Sequence, residues 1–122
     1  LDVGPDVDVD PRPGNGRRFA PGLMSATIGK ARLTLYFEDT FSLKEKRGEM
    51  KRVVERTRNK FNCAIAEIED LDDMRTGTLG LVVLSTSAPH ASQMINAIVD
   101  AIERLLDISV LGDIETELIP FG

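Results

Sequence analysis

The stretch Ser42–Lys60 constrains the fold more than any other part of this chain. Ser42 followed by Glu45 spells a capping box, in which the hydroxyl takes one orphan helix N–H and the carboxylate reaches back to another. Leu43, Met50, Val54, Thr57 and Phe61 follow at steps of seven, four, three and four. That spacing keeps them on one face of a helix, the face expected to be buried. Gly48 costs about 1 kcal/mol against Ala and falls near the outer face. Asn59 and Lys60 end the helix, with cations in the last turn as its dipole favours.

The rest of the chain supplies four strands and a second helix. Over residues 27–37, Ala31, Leu33, Leu35 and Phe37 alternate with Lys30, Arg32, Thr34 and Tyr36. This predicts a strand with one core face and one polar face, and it leaves Arg32 and Tyr36 side by side as candidate contacts on the polar face. Phe41 precedes the cap and is placed to staple onto the first helix. Residues 63–68 read as a short, small-residue-rich edge strand, and residues 69–77 as an acidic loop. Residues 78–86 are apolar on both faces from Leu81 to Leu84, which predicts a central strand. Ser87 caps a second helix with Pro89 in its first turn. That helix runs to about Leu106 and is expected to bury Met94, Ile95, Ile98, Val99, Ile102, Leu105 and Leu106. Residues 108–112 read as a connection and residues 114–119 as a last strand, whose charged alternates protect an edge.

The order is β-α-β-β-α-β. Right-handed crossovers around a central hairpin then predict an α+β, ferredoxin-like fold. It has a four-stranded antiparallel sheet in spatial order 4-1-3-2 with both helices on one face. The other sheet face is left uncovered.

Residues 1–23 differ in character, with four Asp, four Pro and four Gly and little periodicity. They are expected to be a disordered extension or an artificial appendage, with Met24 the natural start and residues 24–122 the domain. At 122 residues the chain is one domain, and 42% hydrophobic content fills a single core. No apolar run approaches the length of a membrane helix, and no signal-peptide pattern opens the chain. Cys63 is the lone cysteine, so no internal disulfide forms. With the single histidine, His90, it makes no zinc site. These features suit the cytoplasm.

Enzyme signatures are sparse. Glu67, Glu69, Asp70, Asp72 and Asp73 lack the glycine and terminal Glu of a calcium loop. His90 has no Ser or Cys in a recognised motif, and Cys63 reads as a small strand residue. No glycine-rich phosphate loop is present. The loop after the first strand offers Glu38 and Asp39, which repel an anionic substrate. The expectation is a non-enzymatic protein with no catalytic residues, metal, cofactor or small-molecule substrate.

The charges are unevenly spread. Net charge is −5, so bulk attraction to nucleic acid is excluded. Residues 44–60 nevertheless hold eight Lys/Arg against three Glu, whereas residues 61–122 hold eleven Asp/Glu against two Arg. Lys44, Arg47, Lys51 and Arg58 share one flank of the helix, and Arg56 lies on the other. One reading is a solvated face with pairs such as Glu49–Arg52 and Glu55–Arg58. The other is a phosphate-binding stripe in which Lys44, Lys46, Arg47, Lys51 and Arg58 meet RNA.

Phe41–Arg47, then Arg58–Asn62, Ala66-Glu67 and Leu79-Gly80, in this strand order, resemble the YlxP-like family, a domain of unknown function. The resemblance covers roughly residues 24–120. It implies small bacterial proteins of ferredoxin-like fold with no established enzymatic activity. It also implies a gene position among translation and ribosome-maturation factors, and hence ribosomal RNA or a ribosome-assembly component as partner. The alternative is a protein-interaction or regulatory module that forms a homodimer through the open sheet face or an edge strand.

Overall fold

A computed structural model describes residues 26–39 and 42–122. The expectations for residues 1–23, for Met24 and for the Phe41 staple lie outside the described residues. The elements are β1 (Thr27–Tyr36), α1 (Leu43–Lys60), β2 (Ala64–Glu69), β3 (Thr76–Ser85), α2 (Ala88–Leu105) and β4 (Val110–Pro120). They form one antiparallel sheet in the order β2-β3-β1-β4. This is the ferredoxin-like arrangement expected from the sequence, with the two most apolar strands, β1 and β3, in the middle.

Both helices begin as their caps dictate. The Ser42 hydroxyl accepts the Glu45 N–H at 3.1 Å, and the Ser87 hydroxyl accepts the His90 N–H at 3.2 Å. Pro89 occupies the first turn of α2, where a missing N–H is harmless. Leu33, Leu35 and Phe37 from the β1 segment, and Leu79, Leu81 and Val83 from β3, form the floor of the core. Ile95, Ile98 and Ile102 of α2, with Met50 and Val53 of α1, close it from one side.

The last strand starts earlier than its alternation suggests, at Val110 rather than Ile114. The cause is a bulge. Leu33 pairs with Ile114 and Leu35 with Leu111, so Thr34 opposes both Gly112 and Asp113. The extra residue breaks the period of two, which disguises residues 110–112 as a connection. The bulge also receives Tyr36: a Cβ at Gly112 would overlap the Cδ2–Cε2 edge of its ring, and its hydroxyl donates to Asp113 Oδ2 at 3.4 Å. β3 likewise begins at Thr76 rather than Thr78, which shortens the acidic loop.

The buried side of α1 is centred one position away from the expected stripe. Val53 is fully buried and Val54 only partly, and the fully enclosed set includes Lys46, Glu49 and Thr57. Adjacent valines leave the helix phase ambiguous by one residue, about 100° of rotation. Two buried charges then mask the true centre.

Candidate nucleic-acid interface on the first helix

Two populations of charge divide α1. The inner one is consumed by the fold. Lys46 is 0% exposed. Its ammonium donates to the Asp70 carbonyl and lies 3.2 Å from Glu67 Oε2, a charge contact without hydrogen-bond geometry. Asp70 turns the chain with a φ of 63°, a left-handed conformation that Asp tolerates better than most residues. Its carboxylate also accepts the Thr78 hydroxyl at 2.7 Å. Lys46 therefore locks α1 to the β2–β3 turn and is withdrawn from the expected RNA-contacting set. Its stem reaches this site because Gly77 lies beneath: a Cβ there would sit 3.3 Å from Lys46 Cε and 2.7 Å from Met50 Sδ.

Glu49, read from the sequence as half of a solvated pair with Arg52, is instead 5% exposed. Its carboxylate accepts the N–H groups of Asp107 and Ile108 and the Ser109 hydroxyl. Arg52 completes the site, 3.0 Å from Glu49 Oε1 and 2.7 Å from the Leu105 carbonyl. The pair Glu49–Arg52 thus exists, but as a clamp on the α2–β4 connection rather than as a solvated face. The sequence showed the i, i+3 spacing and gave no sign that backbone donors sixty residues away would meet it.

The outer population is strongly biased. Lys44, Arg47, Lys51, Arg56, Arg58 and Lys60 are exposed on α1, against only two exposed carboxylates, Glu45 and Glu55. Arg47, Lys51 and Arg58 line a groove of about 300 Å³ between α1 and β2, with Glu55 and Glu67 also present. Lys44 extends the flank beyond the groove. Two members are partly engaged: Arg47 pairs with Asp72 at 3.2 Å, and Arg58 donates to the Ile65 carbonyl at 2.9 Å. The Arg47–Asp72 pair is exposed on both sides, so it is weak and opens readily to a competing phosphate. Lys44 and Lys51 make no ion pair among the described residues.

Arg32 and Tyr36 point to the uncovered sheet face, though neither stands free. Arg32 contacts Glu69 and Glu115, Lys30 lies 3.4 Å from Glu117, and Tyr36 meets Asp113. The Asp113 charge raises the Tyr36 pKa above its ordinary value, helped by partial desolvation and their hydrogen bond. Beside these charges, on β2 and β3, Ala64, Ala66, Ile68, Gly80 and Val82 line a shallow apolar depression of about 560 Å³.

Other reactive groups have structural neighbours. Ser85 Oγ lies 2.7 Å from His90 Nδ1 and accepts the Ser87 N–H. The pair fastens the β3–α2 turn, and no orienting carboxylate accompanies it in these contacts. The Cys63 thiol is pushed up by burial, with Arg58 pulling partly the other way, so it is protonated rather than nucleophilic at neutral pH. Among the described residues no cluster of His, Cys, Asp or Glu is placed to hold a metal ion, and no helix is long and apolar enough to cross a membrane.

Among solved structures, a de novo designed protein, Foldit4, is similar at a TM-score of 0.46 and 13% identity, covering 80% of this chain and 99% of its own. A variant of SnoaB, a cofactor-independent oxygenase from Streptomyces nogalater, is similar at 0.38 and 11%, covering 78% and 91%. Both likenesses are too weak to carry chemistry across. The uncharacterized protein YlxP of Bacillus subtilis (strain 168) is 32% identical over 81 residues, 66% of this chain and 88% of that protein. The sequence model described as "Protein of unknown function (DUF503)" matches residues 28–114, from β1 into β4, and the chain belongs to that family.

Proposed function

We propose that this protein is a non-enzymatic, cytoplasmic RNA-associated factor that meets ribosomal RNA, or a ribosome-assembly component, through the outer face of α1. The observation that carries the reading is the sorting of charge on that helix. The fold absorbs Lys46, Glu49 and Arg52, and what remains outside is six cations against two carboxylates. The contacts are Lys44, Arg47, Lys51 and Arg58, which span about 21 Å at the helical rise per residue. Such a row addresses successive phosphates and reads little sequence. The sheet offers Tyr36 alone as an aromatic, already engaged with Asp113, so base stacking on the sheet plays no part.

The test is RNA affinity at several salt concentrations for the wild type, Lys51→Gln and Arg56→Gln. Lys51→Gln is expected to weaken unrelated RNAs alike and to lower the salt slope by about 0.7 to 0.9 of an ion. Arg56→Gln, on the other flank, does much less. Absence of RNA binding at ~50 mM salt, or equal losses in both variants, overturns the reading.

A second reading has one observation in its favour. Val82 and Leu84 are 43% and 56% exposed on the open sheet face. The cations of β1 and the carboxylates of β4 lie there in parallel rows. A two-fold copy can set its carboxylate row over the first copy's cations, giving a homodimer. Sedimentation of the wild type against Val82→Glu distinguishes a dimer from a monomer.

A further inference from the structure

A cleft between the second half of α1 and the last turns of α2 lies on the flank of α1 away from Lys44, Arg47, Lys51 and Arg58. Arg56 and Lys60 of α1 and Arg104 of α2 line it, and Phe61, Ala101 and Leu105 give it an apolar wall. Its volume is about 400 Å³, within the range of small-molecule pockets. Among the described residues no carboxylate lines it. None of the three cations makes an ion pair among the described residues. The Lys60 ammonium lies 5.4 Å from the Phe61 ring centroid, so charge and aromatic surface adjoin. A helix C-terminus carries roughly −0.5 of a charge. The ends of α1 and α2 therefore offset only part of three full positive charges.

A separate observation points the same way. Thr57 forms part of the cleft wall, is 1% exposed, and its Oγ1 has no hydrogen-bond partner among the described residues. A buried hydroxyl left unpaired is unfavourable, and valine has nearly the same shape without that cost. An acceptor brought by a ligand would satisfy this hydroxyl.

We propose that this cleft binds a nucleotide. Arg56, Lys60 and Arg104 hold its phosphates, the base packs on Phe61 and Leu105, and the Thr57 hydroxyl donates to a ligand oxygen. Three cations beside one small apolar wall suit a ligand with several negative charges at one end and a flat body at the other. Inorganic polyphosphate offers only the first of these, and a nucleoside only the second.

The test is calorimetric titration of the full chain with ATP, pyrophosphate and adenosine at low salt. ATP is expected to bind, adenosine not to bind, and pyrophosphate to bind about tenfold more weakly than ATP. Arg104→Gln and Arg56→Gln each lower ATP affinity about tenfold. Thr57→Val lowers it while leaving the melting temperature unchanged or higher, which separates a ligand contact from a structural one. Lys51→Gln, on the RNA-facing flank, leaves ATP binding intact, so failure here and failure of the RNA reading are distinguishable. No binding of ATP at ~1 mM overturns the proposal. So does pyrophosphate binding as tightly as ATP, because the base then contributes nothing. Equal losses in Lys51→Gln and Arg104→Gln also overturn it, by showing diffuse charge attraction, and so does wild-type ATP affinity in Thr57→Val.

Discussion

The two helices have the same length, eighteen residues each, and lie on the same sheet, yet they are held by different forces. α2 buries Ala91, Ile95, Ile98, Val99, Ala101 and Ile102, all apolar. α1 buries only Met50 and Val53 of that kind, with Lys46, Glu49 and Thr57 beside them. α2 is thus fixed by burial that is indifferent to direction. α1 is fixed by directed bonds to the β2–β3 turn through Lys46 and to the α2–β4 connection through Glu49. The difference has a functional side. A helix that needs little apolar surface to stay in place can devote its remaining faces to charge. That is how a protein of net charge −5 carries a strongly basic helix.

Removing one methylene from each helix probes this contrast hardest. Ile98 is 0% exposed, and Ile98→Val is expected to cost about 1 kcal/mol. Glu49→Asp removes the same amount of matter but withdraws the carboxylate from Asp107, Ile108 and Ser109, leaving the buried Ser109 hydroxyl and two partly buried N–H groups unpaired. Its expected cost is about 3 kcal/mol, or more than 10 °C in Tm at about 4–8 °C per kcal/mol. Denaturant melts of both variants, with exposed Glu55→Asp as a control near zero, measure this directly. Similar costs for Glu49→Asp and Ile98→Val would erase the distinction between the helices.

The Lys46 lock is expected to be smaller. Glu67 keeps 19% of its side chain exposed, so it regains water when its partner is removed. Lys46→Met keeps most of the buried stem and is expected to cost about 1–2 kcal/mol, less than breaking a fully enclosed pair. Adding Glu67→Gln recovers most of that loss, since replacing both charges also removes their desolvation cost. A double variant as unstable as the sum of its parts would mean that the ion pair contributes nothing and that Lys46 acts through the Asp70 carbonyl alone.

Gly48 gives an effect of opposite sign. Nothing lies within 4 Å of a Cβ built there, and the position is mid-helix on the solvent side. Gly48→Ala is expected to raise stability by about 0.5–1 kcal/mol and to leave RNA affinity unchanged. A loss of RNA binding without a loss of stability would show that close approach of a partner to the α1 backbone requires the glycine.

How much of this could be read from sequence follows the same division of forces. Most of what apolar periodicity governs was legible: the strand alternation of Leu33, Leu35 and Phe37, the α2 stripe and hence the sheet order, as were the caps at Ser42 and Ser87, whereas the α1 stripe was centred on Val54 rather than Val53. What was not legible depends on polar groups distant in the chain. Lys46 and Glu49 look like surface charges because nothing local distinguishes a solvated glutamate from one that caps residues 107–109. The bulge at Gly112 and Asp113 hid the start of β4 because it shifts the alternation by one. The exposed stripe of Lys44, Arg47, Lys51 and Arg58 was visible as a charge pattern. Its partial engagement with Asp72 and Ile65 was not, since both contacts lie across the β2 edge.

Arg58 marks the boundary between the two populations of charge, and its test has the smallest effect. Its guanidinium donates to the Ile65 carbonyl and lowers the Cys63 pKa, against a larger upward push from burial. The thiol therefore titrates above its ordinary value, but less far above than burial alone would place it. Replacing Arg58 by Gln removes the lowering influence, so the folded thiol pKa rises further. The thiolate fraction at a fixed mildly alkaline pH then falls, and the rate of alkylation by iodoacetamide falls with it. Lys51→Gln, about two turns away on the same flank, should leave the rate unchanged. Opening the Arg58–Ile65 contact would instead expose Cys63 and speed alkylation, so the sign of the change decides between the two effects. A slower reaction places the Arg58 charge within the domain's own electrostatics as well as on the flank proposed to meet RNA. A faster one makes Arg58 a clasp on the β2 edge, and the free cations of the stripe then reduce to Lys44 and Lys51.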